Sequence, residues 1–410
     1  MINPAPDIFH QTLRVFLGWN EETPLPFLSE RSDIRSMNLA VVIAENPSGR
    51  TCESLAREGY THQRRFALLP SRRHLRWLLP LAAKRLGIDG LQLYMPHGHV
   101  GRIVKAIIVQ ARDSGWQGWM RDTVVIASRA ALPIESVLQG ATGENEFALS
   151  LSPGTPGAFQ KLTVQVMRPD GSILGYMKLP MTEAAGERLR HEATTVRDLY
   201  FYSELRAHIP RLIFAGLLEG RFVVFQSALA GHAVPLRYAP LHESFLDRLH
   251  SCRSERRPGL RVVEDAGRRW RGISGHMGNK WQEVGREALR IAARELQGPE
   301  IICGIAHGDF APWNMRMGDG NLRLFDWESA SWNTPLLWDK FHFMTQTECL
   351  LKTRHGRESA VDDRVKNRSL YLLYLLDSAG QYWEEGARDA VIRYREQQLS
   401  RFMSMDGRAA

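Results

Sequence analysis

The chain has only four cysteines in 410 residues, Cys52, Cys252, Cys303 and Cys349, and none has a partner at metal-ligand spacing. That pattern excludes a disulfide-stapled scaffold and a structural zinc knot, and it suits free thiols in a reducing cytoplasm. Long hydrophobic runs are missing too. The best, LRWLLPLAA, is broken by Arg76 and Pro80 and falls well short of the roughly 20 residues a membrane-spanning helix needs. The chain is therefore expected not to be integral to a membrane. Its first residues, MINPAPDIFHQTLRVFLGW, lack the basic and apolar regions of a secretory signal. There is no internal repeat and no low-complexity segment, which argues against a solenoid or a disordered tail.

What is present is the composition of a globular protein, 44% hydrophobic and 24% charged, in a chain long enough for two or three cores. Lysine and arginine number 53 against 45 acids, a formal charge of +8. Such a balance favours anionic partners such as nucleotides or phosphorylated metabolites, with a solvated arginine-rich surface as the plain alternative. Nucleic acid is not expected as a specific partner, since no RNA- or DNA-binding module is recognisable.

Along the chain, short β-rich runs (LAVVIAE, RRFALLP, LQLYMP, TVVIAS) alternate with helix-like stretches (HLRWLLPLAAKRL, VGRIVKAIIVQARDSG), which predicts a small α/β domain over residues 1–143. The polar strip QGATGENE, Gln139 to Glu146, reads as a boundary. FALSLS, LTVQVM and ILGYMKLP then predict three antiparallel strands, followed by a helix from about Glu183 to Tyr200 and two further strands, PRLIFAGL and RFVVFQS. From about Pro240 the chain reads as mostly helical. LLPSRRHLRWLLP, with its basic cluster, is read as either a phosphate-holding turn or an exposed one.

The most informative segment is HGDFAPWNMRMGDGNLRLFDWE, His307 to Glu328. GDGN is a strong turn signal and predicts a β-hairpin in which Met317 faces Leu322. Asn314 then falls opposite Phe325, next to Asp326, at the open end of the hairpin. Facing positions lie on the order of 5 Å apart, so an amide oxygen and a carboxylate can share a hard cation such as Mg²⁺, with nucleotide phosphates filling its other positions. Asp309 sits five residues before Asn314 on a loop that Pro312 keeps from forming regular helix. A carboxylate there can accept the proton of an incoming hydroxyl, which phosphoryl transfer requires.

His307-Gly308-Asp309, Asn314 and Asp326-Trp327-Glu328 closely resemble the signature of the aminoglycoside phosphotransferase and choline kinase family, a branch of the protein-kinase-like fold. The resemblance implies an α+β bilobal kinase-like fold: a five-stranded antiparallel lobe over 144–230 for nucleotide, and a helical lobe over 231–410 holding the catalytic loop, metal site and acceptor, both preceded by the domain over 1–143. It implies ATP and Mg²⁺ as cofactors, Asp309 as catalytic base, and Asn314 and Asp326 as magnesium ligands. Asp339, in PLLWDKFHF, looks like the acid that braces the catalytic loop through its backbone.

The resemblance also asks for a phosphate loop, a strand lysine and a helix glutamate upstream. SPGTPGA, Ser152 to Ala158, offers Gly154 and Gly157, whose backbone could approach phosphates closely. Lys178 lies on the third strand after that loop, where this pattern puts the lysine contacting the α- and β-phosphates. On the helix, Ala185, Leu189, Val196 and Leu199 form an apolar stripe with Glu192 in its centre. A buried carboxylate needs a cationic partner, and Lys178 is the natural one. RFVVFQS running into ALAGHAVP resembles the hinge on which this family hangs adenine, with Gln226 as gatekeeper and the Ser227 carbonyl and Leu229 amide as contacts.

Family members phosphorylate hydroxyls of aminoglycosides, choline, homoserine and sugars. Here Phe245 to Glu300 carries twelve basic against eight acidic residues, which argues against a polycationic acceptor and for a neutral or anionic sugar, glycan intermediate or related metabolite. Trp270, Trp281, Trp332 and Trp338 could stack on a sugar or simply fill the core. A small-molecule kinase is the expected function; a catalytically silent, kinase-shaped binding or scaffold protein is the alternative.

Overall fold

The computed structural model describes residues 7–20, 22–28, 40–81, 122–353, 363–386 and 389–405. The fold is mixed, with one large antiparallel sheet and many helices. Two compact units emerge, residues 1–193 with 211–228 and residues 194–210 with 229–410.

The first unit is built on a nine-stranded sheet. Its strands are β1 (Val41–Glu45), β2 (His62–Leu69), β3 (Trp77–Pro80), β4 (Thr123–Ser128), β5 (Ala148–Ser152), β6 (Lys161–Met167), β7 (Ile173–Pro180), β8 (Leu212–Leu218) and β9 (Arg221–Ser227). They lie in the order β1-β4-β2-β3-β5-β6-β7-β9-β8, and each neighbouring pair is antiparallel. Leu162, Val164 and Val166 of β6 alternate into one apolar cluster with Met177, Leu179 and Phe225. Helix α1 (Ile8–Leu17) inserts Phe9, Leu13 and Phe16 into the same cluster, and Phe66 and Ile126 join it. The helix starts where Asp7 accepts a hydrogen bond from the Phe9 amide at 3.1 Å.

Some expectations for this unit need correction. The boundary at residue 143 falls inside a single sheet, because β3 pairs with β5 through Leu78 and Leu151. Of the expected helix HLRWLLPLAAKRL, Trp77–Pro80 is strand β3, since its apolar residues are buried against β2 rather than along a helical face. The strip QGATGENE begins inside a helix, α3 (Pro133–Thr142), which follows α2 (Gly49–Arg57). VGRIVKAIIVQARDSG and LQLYMP lie outside the described residues. By contrast, the five downstream strands and helix α4 (Glu183–Leu199) form where the pattern put them.

The second unit contains helices α5 (Pro240–Cys252), α6 (Gly259–Met277), α7 (Asn279–Glu295), α8 (Trp338–Leu351), α9 (Arg368–Glu384) and α10 (Asp389–Met403). Leu370 to Leu376 of α9 are buried in an unbroken run, so this helix is central, and α6, α7 and α10 pack around it with their apolar faces. Two small sheets complete the unit. One orders β10 (Ser254–Pro258), β11 (Glu300–Ala306) and β14 (Ser331–Pro335); the other is the hairpin β12 (Met315–Gly318) and β13 (Asn321–Leu324). Among the described residues, no helix is long and apolar enough to cross a membrane.

Candidate active site

Strand β11 delivers the chain into the loop that begins at His307. The loop is held from both sides. Asp339, in the first turn of α8 and 1% exposed, accepts the His307 amide at 2.7 Å on one oxygen and the Gly308 amide at 3.0 Å on the other. His307 is buried with its ring against Trp327. Its Nδ1 accepts the Asp309 amide at 3.2 Å, so Nε2 carries the hydrogen and donates to the Phe325 carbonyl at 3.0 Å. Gly308 has φ of +80°, and a side chain there would put its Cβ 2.1 Å from the Ser329 carbonyl oxygen. Only glycine fits that turn.

Asp309 follows, and both its carboxylate oxygens are engaged. Oδ2 accepts from the Asn314 amide at 2.7 Å, and Oδ1 lies 2.9 Å from His342 Nε2. Burial pushes the Asp309 carboxyl up, but the His342 hydrogen bond opposes it and the group is held below its ordinary value; the charge of Asp326 acts in the raising direction. Each oxygen retains a further lone pair for an incoming hydroxyl proton.

Residues Pro312–Asn314 form a short 3₁₀ turn, after which the hairpin pairs Met315 with Leu324 and Met317 with Leu322, the register expected from GDGN. The Phe325 amide donates to the Asn314 carbonyl at 3.1 Å, carrying the ladder one step beyond the named strands. Asp326 sits at φ +68° in the left-handed region, a conformation that costs a non-glycine residue about 1 kcal/mol and turns its side chain out of the strand direction. The residues present fit a magnesium ion. The Asn314 amide nitrogen is committed to the Asp309 carbonyl, at 3.0 Å, and to its carboxylate, so the remaining Oδ1 is the atom free to meet a cation. Asp326, one residue beyond the Phe325 that pairs with Asn314, would add a carboxylate to an all-oxygen donor set, the kind Mg²⁺ takes.

Beside the loop, a cavity of about 320 Å³ is lined by Gly308, Ser329, Ser331, Asn333, Ser378 and Gln381. Its wall also holds two ion pairs, Arg257 with Asp265 at 2.7 Å and Arg269 with Asp377 at 2.6 Å. His342 forms part of the same wall.

In the first unit, Lys178 Nζ lies 2.6 Å from Glu192 Oε1. Glu192 is fully buried, so the inward glutamate has the cation that its position demanded, and its second oxygen, Oε2, has no partner among the described residues. Gly154 adopts φ +64° at the β5–β6 turn, where a Cβ would lie 2.9 Å from the Lys161 carbonyl oxygen. Gly157 accepts from the Gln160 amide at 3.2 Å. Gln226 is buried and its Nε2 has no partner among the described residues. Ser227 ends β9, bonded to Arg211 through both its amide and its hydroxyl at 2.9 Å. Leu229 belongs to the second unit, so the two expected hinge residues are divided between units.

Trp270 and Trp281 are core residues, at most 7% exposed, which answers the stacking alternative for these two; Trp338 is buried yet lines the cavity, and Trp332 is half-buried with Arg253 over its ring. Arg72 of the basic cluster is paired with Glu45 at 3.1 Å, and its amide donates to Asp122 at 2.7 Å, the bonding of a structural turn. Sequence reasoning missed His342. The three-residue offset from Asp339 puts both on one face of α8, but only the fold brings that face to the loop.

No protein-family model and no curated protein matches the chain. Among solved structures, the chain is similar to a thermostable mutant of aminoglycoside phosphotransferase APH(4)-Ia in its apo form, at 16% identity over 66% of this chain and 98% of that one, with a TM-score of 0.44. A ternary complex of that enzyme with ADP and hygromycin B gives 14% identity, 68% and 99% coverage and a TM-score of 0.46. A GDP complex of an aminoglycoside 2'-phosphotransferase gives 13%, 67%, 97% and 0.42.

Proposed function

We propose that this chain is an ATP- and Mg²⁺-dependent phosphotransferase that acts on a hydroxyl of a small molecule, a neutral or anionic sugar, glycan intermediate or related metabolite. The observation that carries the reading is Asp309: a carboxylate fixed by hydrogen bonds on both oxygens and held below its usual proton affinity, on the same loop as Asn314, whose amide nitrogen is the atom turned to Asp309. Phosphoryl transfer needs little else from a protein than this positioning and charge neutralisation.

In this reading Asp309 takes the proton of the acceptor hydroxyl as its oxygen attacks the terminal phosphoryl group of ATP, whose bond to the β-phosphate oxygen breaks as ADP leaves. Asn314 and Asp326 would hold the magnesium, which when bound neutralises the phosphate charge. Strands β5 to β9 serve as the nucleotide lobe, and residues 231–410 as the catalytic and acceptor lobe. Lys178, steadied by Glu192, would meet the α- and β-phosphates; Gly154 and Gly157 would cover them; Ser227 and Leu229 would hold adenine by their backbones.

The cavity supports a neutral acceptor. Hydroxyls and amides line it, and its acids Asp265 and Asp377 are each already paired with an arginine, while Asp339 is committed to the loop. A polycationic acceptor would find no spare carboxylate among these. The half-buried or buried thiols suit a reducing cytoplasm.

Mg²⁺ with ATP should raise the melting temperature, and a panel of sugars and polyols should reveal a phosphorylated product. Asp309→Asn should abolish transfer while keeping nucleotide binding. Absence of any nucleotide-induced shift at millimolar ATP sinks the proposal; binding without product across the panel leaves the kinase-shaped binding protein instead.

A further inference from the structure

Helix α8 meets the catalytic loop at two points of one helical face. Asp339 takes the amides of His307 and Gly308, and His342, three residues on, reaches the carboxylate of the very next loop residue, Asp309. Three consecutive loop residues are thus held by a single turn of helix, two by their backbone and one by its side chain.

His342 is 3% exposed, so its ring is not free to rotate into solvent. Tyr374 meets it edge-on at 6.2 Å between centroids and Tyr382 lies stacked at 6.4 Å, which fixes the plane of the imidazole. The ionised Asp309 carboxylate can only accept, so the Nε2 facing it must carry the hydrogen. Asn314 holds Oδ2 in the same way. With both oxygens tethered, the carboxylate plane has one orientation, and the remaining lone pairs point in fixed directions.

We propose that His342 is a positioning residue for the general base: its Nε2–H fixes Oδ1 of Asp309, so that the carboxylate meets the acceptor hydroxyl already aligned. The proposal rests on the phosphotransferase reading above. It assigns His342 a role that a buried core histidine would not have, because a core histidine serves by its shape and this one by its hydrogen.

Two substitutions separate hydrogen from shape. His342→Leu keeps bulk and removes the donor; His342→Gln places an amide N–H near the position of Nε2. The activity measured is Mg²⁺-dependent ATP turnover, with water and a polyol panel as acceptors and Asp309→Asn as the blank. His342→Leu should lower kcat by about a hundredfold, the order expected when a reacting group loses its alignment, while KM for ATP stays unchanged. His342→Gln should recover kcat to within about threefold of the original. A folded His342→Leu with undiminished kcat, or a loss confined to KM, overturns the proposal. So does a His342→Gln as weak as the leucine variant. Should His342→Leu fail to fold, ¹⁵N NMR of the imidazoles in the unaltered protein decides: a neutral ring protonated at Nε2 sustains the assignment, and a bare Nε2 overturns it. If the unaltered protein turns over no ATP with any acceptor, the phosphotransferase reading itself is at fault, and the NMR result still tells whether His342 bonds Asp309.

Discussion

At the residue scale, the proton affinity of Asp309 has a sign that can be checked. Burial alone would raise it, and the His342 hydrogen bond reverses that. A carboxylate whose folded pKa lies below its unfolded value, about 4 for aspartate, adds stability that is fully present above that value and is lost as pH falls through the folded pKa. The gap in melting temperature between the unaltered protein and Asp309→Asn should therefore move in the variant's favour as pH drops below about 4. A gap that moves the other way contradicts the assignment. The hairpin that sets Asn314 opposite Phe325, next to Asp326, was legible in the sequence because the turn signal between them fixed the counting, and hairpin register follows from counting alone. His342 was not legible, since its partner lies 33 positions away and only the packing of α8 onto the loop joins them.

At the scale of elements, the buried pair Lys178–Glu192 joins strand β7 to helix α4. Breaking such a buried pair by removing one partner costs about 3–5 kcal/mol. Glu192→Ala should lower stability by that order, and adding Lys178→Met should restore much of it; chemical denaturation of the four proteins of the cycle measures the coupling. Equal stability of Glu192→Ala and the unaltered protein would show the pair to be idle. The pair was foreseeable because Glu192 interrupts an apolar stripe, and a stripe has a direction. Strand β10 was not: SERRP carries charges at exposed positions, and it is strand only because its backbone pairs with β11 from Ser254–Gly304 to Pro258–Glu300. Likewise the short strands upstream did not disclose their antiparallel pairing, since strand direction depends on connections that periodicity does not encode.

At the scale of the whole molecule, the sheet makes residues 1–143 part of the structure that follows them. Phe9, Phe16, Phe66 and Ile126 share one cluster with Leu149, Val164, Met177 and Phe225, and each fully buried side chain of this kind contributes about 2 kcal/mol relative to exposure. A chain starting at residue 144 should thus be insoluble or bind hydrophobic dye when expressed, although every proposed functional residue is retained. Well-dispersed NMR spectra from that truncation would restore the boundary that composition suggested. Because Asp339 grips the two amides that open the loop, the leading turn of its helix and the reactive bend form a single mechanical part. Warmth that frays the front of that helix should slacken the bend at the same moment, so heating should end the proposed activity while the leucine- and tyrosine-rich middle of α9 is still intact.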